Sequence, residues 1–180
     1  MRQEYNEIVS NGRFTVQYDQ AAIRARAYDY TSNGIIITDA RQPDNPIIDV
    51  NHAFERMTGY ARSEVLGRNC RFLQSNDNRQ EPLAKLRLAL HRQKSTRIVL
   101  KNYRKDGSMF WNELVVSPVL DADNSLSYFI GILQDVSAQQ MVLANLTKTN
   151  EQLETLNALM VERNLQLIAA KHELLVLKKT

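Results

Sequence analysis

The sequence predicts an α+β fold in which helices cover one face of a five-stranded antiparallel sheet. Short β-branched runs alternate with turn signals between residues 34 and 136, and the helical patterns are grouped between the second and third of these runs. The chain then changes character, because all six glycines, all four prolines and every aromatic residue lie before position 132. A chain of 180 residues is therefore interpreted as one domain with an appended helix.

The predicted core elements follow one another as two strands, three helices and three strands. Prolines, glycines and polar loops separate them, and Ser63 is the predicted N-cap of the second helix. The last three strands form a meander, and such a sheet leaves room for a ligand against its helices. The predicted ranges are Gly34–Asp39, Ile47–Val50, His52–Thr58, Ser63–Leu66, Glu81–Gln93, Thr96–Tyr103, Met109–Leu120 and Leu126–Val136.

Two helical regions are predicted to flank this core, which spans residues 31–136. Residues 1–30 are expected to form an N-terminal helical cap, since Tyr18–Tyr30 is rich in alanine. Residues 137–180 contain no helix breaker, and leucine or methionine recurs every seven residues from position 146 to 174. A second seam, offset by three residues, is interrupted by Thr149 and Arg163.

The C-terminal helix needs a partner for its apolar stripe. At 1.5 Å per residue it is about 60 Å long, too long for the core to cover. We expect a homodimeric coiled coil, in either parallel or antiparallel orientation. A helix folded back on its own domain explains only the first turns.

Composition excludes several classes of protein. There is no apolar run of bilayer length and no secretory signal, so a cytoplasmic protein without membrane association is expected. A single cysteine, Cys70, excludes an intramolecular disulfide and a Cys-rich zinc site, and no metal site is expected. The net charge of +3 is spread over the whole chain, so direct binding of nucleic acid is not expected.

The surroundings of Cys70 carry the most specific signal. The octet GRNCRFLQ at residues 67–74 resembles the signature of the light-oxygen-voltage (LOV) branch of PAS sensor domains. The similarity continues in family order through DNPII, NHAFERMTGY, SEVLG, KNYRKDGSMFWN and YFIG, over residues 34–136. The sequence is thus identified as similar to short LOV photoreceptors of bacterial type, without a fused effector.

This resemblance implies a noncovalently bound flavin mononucleotide (FMN), although FAD stays open. Blue light would let the Cys70 sulfur add reversibly to flavin carbon C4a. Asn102 and Asn112 match the two asparagines that contact the flavin in the family. Amide side chains suit this role because they offer both hydrogen-bond donors and acceptors. Asn69 and Gln74 match further polar contacts.

An apolar slot and two cations complete the implied site. Arg71 and Arg87 align with the family's phosphate-binding pair, and Arg79 and Lys85 are weaker candidates. Relatives carry further arginines where this chain has Asn78 and Leu83. The remaining candidate residues around the flavin are Ile36, Thr38, Leu73, Leu114, Val116, Phe129, Gly131 and Leu133.

The last strand departs from the family pattern. Relatives have a flavin-contacting glutamine where this chain has Leu133, whether by nature or by engineering. By the period of two, Gln134 faces away unless a β-bulge turns it inward. The departure leaves two alternatives open. The chain is a PAS ligand- or redox-sensing module with impaired signalling, or Asn102 or Asn112 responds to the light reaction in place of the glutamine.

Three further interpretations are open to test. Cys70 as a catalytic nucleophile needs a histidine base, and only His52, His91 and His172 exist. A haem- or metabolite-binding PAS module would use His52 or His91. A DNA-binding regulator would use small basic clusters, which do not form one stripe. The favoured prediction is a sensor that signals through a change in dimer geometry, and not an enzyme.

Overall fold

The core is a five-stranded antiparallel sheet with the strand order β4-β3-β7-β6-β5. This computed structural model describes residues 8–10, 13–15 and 19–177, with side chains from 19 to 171. The α+β prediction is confirmed, because helices pack against this antiparallel sheet. Strands β1 and β2 form a separate hairpin; the sheet strands are β3 (Gly34–Asp39), β4 (Ile47–Val50), β5 (Thr96–Tyr103), β6 (Met109–Leu120) and β7 (Leu126–Asp135).

The N-terminal region corrects one expectation. In place of a helical cap over residues 1–30, the structure has a hairpin of β1 (Ile8–Ser10) and β2 (Arg13–Thr15), followed by helix α1 (Gln20–Tyr30). The sequence places Asn-Gly between two β-prone triplets, which is a strong hairpin signal. Only the alanine-rich part of the predicted cap is helical among the residues described.

Three short α-helices and a 3₁₀ helix follow β4. They are α2 (His52–Thr58), α3 (Arg62–Val65), the 3₁₀ helix Cys70–Gln74, and α4 (Pro82–His91). Ser63 is not an N-cap, which corrects the sequence prediction.

Helix α3 begins one residue earlier than that prediction because two carboxylates satisfy its first N–H groups. Glu64 Oε2 accepts from the Ala61 N–H at 2.8 Å, and Glu55 Oε1 accepts from the Arg62 N–H at 2.7 Å.

Asn51 joins α2 to the edge of the sheet. Its side chain is fully buried, and Oδ1 accepts from the Phe54 N–H at 2.9 Å and from the Ile35 N–H at 2.8 Å. Its Nδ2 donates to the carbonyls of Tyr28 at 2.8 Å and Asn33 at 3.0 Å. One amide therefore caps α2 and also fixes the segment between α1 and β3.

The sheet strands turn every second side chain toward the helices. On β5 and β6 the buried residues include Leu100, Asn102, Phe110 and Asn112, and Gly131 lies between buried Phe129 and Leu133 on β7. The inner face of the sheet is thus mainly apolar, and its buried polar side chains there include Asn102, Asn112 and Thr38. This face forms one wall of the site described below.

The C-terminal helix α5 (Ser137–Leu177) forms a unit of its own, separated from the core after Val136. Many of its large apolar side chains are exposed, among them Leu146, Leu153, Leu156 and Met160. No helix among the described residues has the length and hydropathy needed to cross a bilayer.

We predict that Asn51→Ala lowers the free energy of unfolding by about 3 kcal/mol, because several buried N–H and C=O groups lose their partner at once. The matched control is Asp19→Ala, which removes the exposed N-cap of α1, a single hydrogen bond of 3.0 Å to Ala22. That control is expected to cost about 1 kcal/mol or less. Urea unfolding measures both; equal losses would contradict the central role of Asn51.

Candidate functional site

A cavity of about 620 Å³ lies against the inner face of the sheet. Its wall comes from β3, β5, β6 and β7, from the 3₁₀ helix and α4, and from the loop between β3 and β4. Small-molecule sites commonly have volumes of about 300–1,000 Å³. The cavity therefore has room for one ligand of cofactor size.

The structure brings the sequence-predicted site residues together on this wall. The weaker candidate Lys85 does not lie there, but the principal residues predicted for the cysteine, polar, cationic and apolar parts of the site all do. They are Ile36, Thr38, Asn69, Cys70, Arg71, Leu73, Gln74, Arg87, Asn102, Asn112, Leu114, Val116, Phe129, Gly131 and Leu133.

Sequence reasoning missed or discounted several other wall residues. Asp44 and Asn45 come from the β3–β4 loop, and Arg79, one of the two weaker cationic candidates, is also on the wall. Helix α4 adds an apolar side, and its leucine spacing of three and four was the available signal. These further apolar residues are Leu83, Leu86, Leu90 and, from β5, Leu100.

Two buried amides form the polar part of the wall. Asn112 Nδ2 donates to Asn102 Oδ1 at 2.8 Å, and Asn102 Nδ2 donates to the Lys101 carbonyl at 2.9 Å. Asn112 Oδ1 is buried and has no hydrogen-bond partner. A buried acceptor without a partner is costly, so this atom favours a ligand that presents a donor.

Cys70 begins the 3₁₀ helix, and Asn69 caps it by accepting from the Arg71 N–H at 3.0 Å. Burial raises the pKa of the Cys70 thiol to about 12, although the positive charge of Arg71 opposes this effect. The group is therefore a neutral thiol at pH 7, which disfavours a thiolate nucleophile.

No described histidine lies on the cavity wall. His52 is exposed and pairs with Glu55 at 2.9 Å, and His91 lies at the end of α4. The side chain of His172 lies outside the described residues. Neither a histidine base for Cys70 nor a histidine ligand for haem is found among the described cavity residues.

Cations gather at the mouth of the cavity. Arg71 forms a two-pronged ion pair with Asp44, with both Nη–Oδ distances at 2.6 Å. Arg87 Nη2 donates to the Asn78 carbonyl at 3.3 Å. Lys85, the other weak candidate, is not on the wall, and its Nζ donates to a backbone carbonyl of β5 at 3.2 Å.

Strand β7 presents Leu133 to the cavity and Gln134 to solvent. The register of β6 and β7 is regular here, with Glu113 opposite Gln134, so the bulge that would turn Gln134 inward is contradicted. A Cβ added at Gly131 would lie 3.6 Å from Leu114 Cδ1. The protein tolerates that atom, but it would occupy ligand space.

Comparison with known proteins agrees with this geometry. The PAS domain family model matches residues 32–138. A blue-light photoreceptor of Listeria monocytogenes is 44% identical over 140 residues, which cover 78% of this chain and 55% of that protein. The solved LOV domain of a blue-light activated histidine kinase from Erythrobacter litoralis is 43% identical, with a TM-score of 0.55, over 58% of this chain and 96% of that one.

The chain belongs to the LOV branch of the PAS family.

The solved structure of an RNA-binding LOV receptor aligns with a TM-score of 0.69 at 36% identity, over 73% of this chain and 37% of that one. The chain spans about half the length of the Listeria photoreceptor. The similarity to these relatives therefore bears chiefly on the LOV core.

Proposed function

We propose that this LOV protein is a blue-light sensor that holds FMN in the cavity and uses Cys70 as its photoreactive group. The observation that carries the proposal is the neutral Cys70 thiol on the wall of a cavity whose buried amide pair leaves Asn112 Oδ1 as an unpartnered acceptor. The LOV relatives named above support the same assignment. The protein would sense light and not turn over a substrate.

The wall residues fit a flavin. A tricyclic ring needs an apolar slot, which Leu114, Val116 and Phe129 provide, and Gly131 leaves space beside them. The pyrimidine edge of the ring has an N–H donor and carbonyl acceptors. The unpartnered Asn112 Oδ1 would accept from that donor, which removes the cost of leaving it unpaired.

The phosphate of FMN would lie at the mouth of the cavity. Arg71 and Arg87 stand there, and Arg79 adds a third guanidinium. The planar fork of arginine suits phosphate, and charge-assisted hydrogen bonds are the stronger kind. FMN suits the arginines at this mouth better than FAD, because the phosphate of FMN is terminal and carries two negative charges.

When bound, the flavin supplies the absorption of blue light and an electrophilic carbon, C4a. The Cys70 sulfur would form a bond with this carbon, and the thiol proton would move to flavin N5. In darkness the sulfur–carbon bond would break and the proton would return to the sulfur. The raised pKa of Cys70 supports this step, because the residue must bring its own proton.

We predict that Cys70→Ala keeps FMN and its fluorescence but loses the reversible bleaching of the blue absorption band. The replacement removes only the sulfur, and the other wall contacts stay in place. Absorption spectra before and after blue illumination measure this effect. Bleaching and dark recovery in the variant equal to those of the unmodified protein would show that another group reacts.

The signal would leave the core through the end of β7. Asn112 pairs in register with Asp135, and Arg104 Nη2 contacts Asp135 Oδ2 at 2.5 Å. Val136 donates to the Trp111 carbonyl at 2.8 Å, and Ser137 then begins α5. Asn112 is thus paired with Asp135, which lies two positions before the first residue of the C-terminal helix.

The C-terminal helices of two copies would form a coiled-coil homodimer whose geometry changes with light. The seven-residue stripe of α5 that contains Leu146, Leu153 and Met160 is exposed in the single chain, with Leu153 at 52%. Burial of such a stripe against an identical one is the economical way to remove it from water.

We predict that Leu153→Asp dissociates this dimer, because the substitution puts a carboxylate into the apolar seam. Leu165→Asp is the matched control, since it lies on the opposite side of the heptad and is already 63% exposed. Light scattering after gel filtration measures the mass. A monomeric Leu165→Asp variant, or a dimeric Leu153→Asp variant, would place the interface elsewhere.

Leu133 leaves a second candidate, a ligand- or redox-sensing LOV module whose light signal is weakened, which the blue-light photoreceptor relatives do not favour. Leucine neither donates nor accepts a hydrogen bond, so protonation of flavin N5 would have to be sensed by Asn112 or Asn102. We predict that Leu133→Gln keeps the bleaching and enlarges the light-induced change in spin-label distance near Leu153. If the light-induced change in spin-label distance is already as large in the unmodified protein as in Leu133→Gln, this second candidate is rejected.

A further inference from the structure

The loop between β3 and β4 carries a carboxylate to the mouth of the cavity. Asp44 and Asn45 have positive φ values of 69° and 47°, so the loop bends back at this point. The Asp44 carbonyl accepts from Asn69 Nδ2, and its carboxylate faces Arg71. Two hydrogen-bonded connections thus fix Asp44 beside the start of the 3₁₀ helix.

This carboxylate uses the terminal donors of Arg71. Asp44 Oδ1 and Oδ2 accept from Nη2 and Nη1, each at 2.6 Å. A phosphate would use the same planar fork, because carboxylate and phosphate share its geometry. The ion pair lowers the pKa of Asp44, so the carboxylate stays charged at pH 7.

The pair can be displaced. The Arg71 and Asp44 side chains are 61% and 60% exposed, and ion pairs so open to water contribute little to stability. A ligand phosphate therefore meets a guanidinium whose charge Asp44 already compensates, and it also meets a negative charge nearby.

We infer that Asp44 is a specificity-determining residue that competes with the flavin phosphate for Arg71, and thereby reduces the preference of the cavity for FMN over the neutral riboflavin. The inference rests on the proposed function, because it assigns the phosphate to the Arg71 end of the cavity. The wall that surrounds the ring is unaffected, since Asp44 contacts neither Asn102 nor Asn112 by any hydrogen bond or ion pair found in the structure.

The test measures the dissociation constants of FMN and riboflavin, by fluorescence titration of the flavin-free full chain and of Asp44→Asn. We expect FMN to bind about tenfold more tightly to Asp44→Asn, from the loss of one nearby negative charge, and riboflavin to bind with unchanged affinity. Asp123→Asn is the matched control, as it changes the net charge equally in the exposed β6–β7 loop.

A second pair of variants separates competition from a structural role of Asp44. In the Arg71→Ala background, Asp44→Asn is expected to change FMN affinity much less, because there is no longer a guanidinium to release. The inference is overturned if Asp44→Asn weakens the binding of FMN or changes the affinities for FMN and riboflavin equally. It is also overturned if Asp44→Asn changes FMN affinity as much in the Arg71→Ala background as in the unmodified protein. If neither flavin binds any of these proteins, the proposed function itself fails, and the two failures are therefore distinguishable.

Discussion

A hydrogen bond between two buried amides, Asn112 and Asn102, determines the chemistry of the cavity. The bond uses one donor and one acceptor and leaves Asn112 Oδ1 unpartnered on an apolar wall. Inside a protein such an atom is costly without a partner, so a ligand with an N–H group stabilises the core as it binds. The same strand pairing places Asn112 opposite Asp135, just before the C-terminal helix.

The second constraint is the neutral state of Cys70. A thiol whose pKa is raised by burial is a poor nucleophile in darkness, so its reactivity must come from the ligand and not from a basic neighbour. In the proposed function the tasks would be separate: the amides would orient the ligand, the cations would hold its charged end, and the sulfur would stay protonated until illumination. Leu133 offers no hydrogen bond to a ligand, so in the proposed function the amide pair would have to report the light reaction.

The sequence predicted most of the fold and the whole set of motif-derived wall residues, because β-branched runs, turn residues and the GRNCRFLQ octet are local signals. It did not predict the Asp44–Arg71 pair, whose members are 27 positions apart and meet through loop geometry. The hairpin before α1 differs from the predicted helical cap, because Asn-Gly is a local hairpin signal and the alanine-rich helix propensity is confined to the residues after it. Ser63 is displaced as a cap because the carboxylates of Glu55 and Glu64 serve that helix start.

The most direct test follows the S–H stretching band of Cys70 by infrared difference spectroscopy on the FMN-loaded protein. As Cys70 is the single cysteine of the chain, any S–H band belongs to it. We expect an S–H band in darkness that is lost under blue light and returns in the dark. A band that is unchanged by illumination, or absent before it, would contradict the claim that a neutral Cys70 thiol is the reacting group.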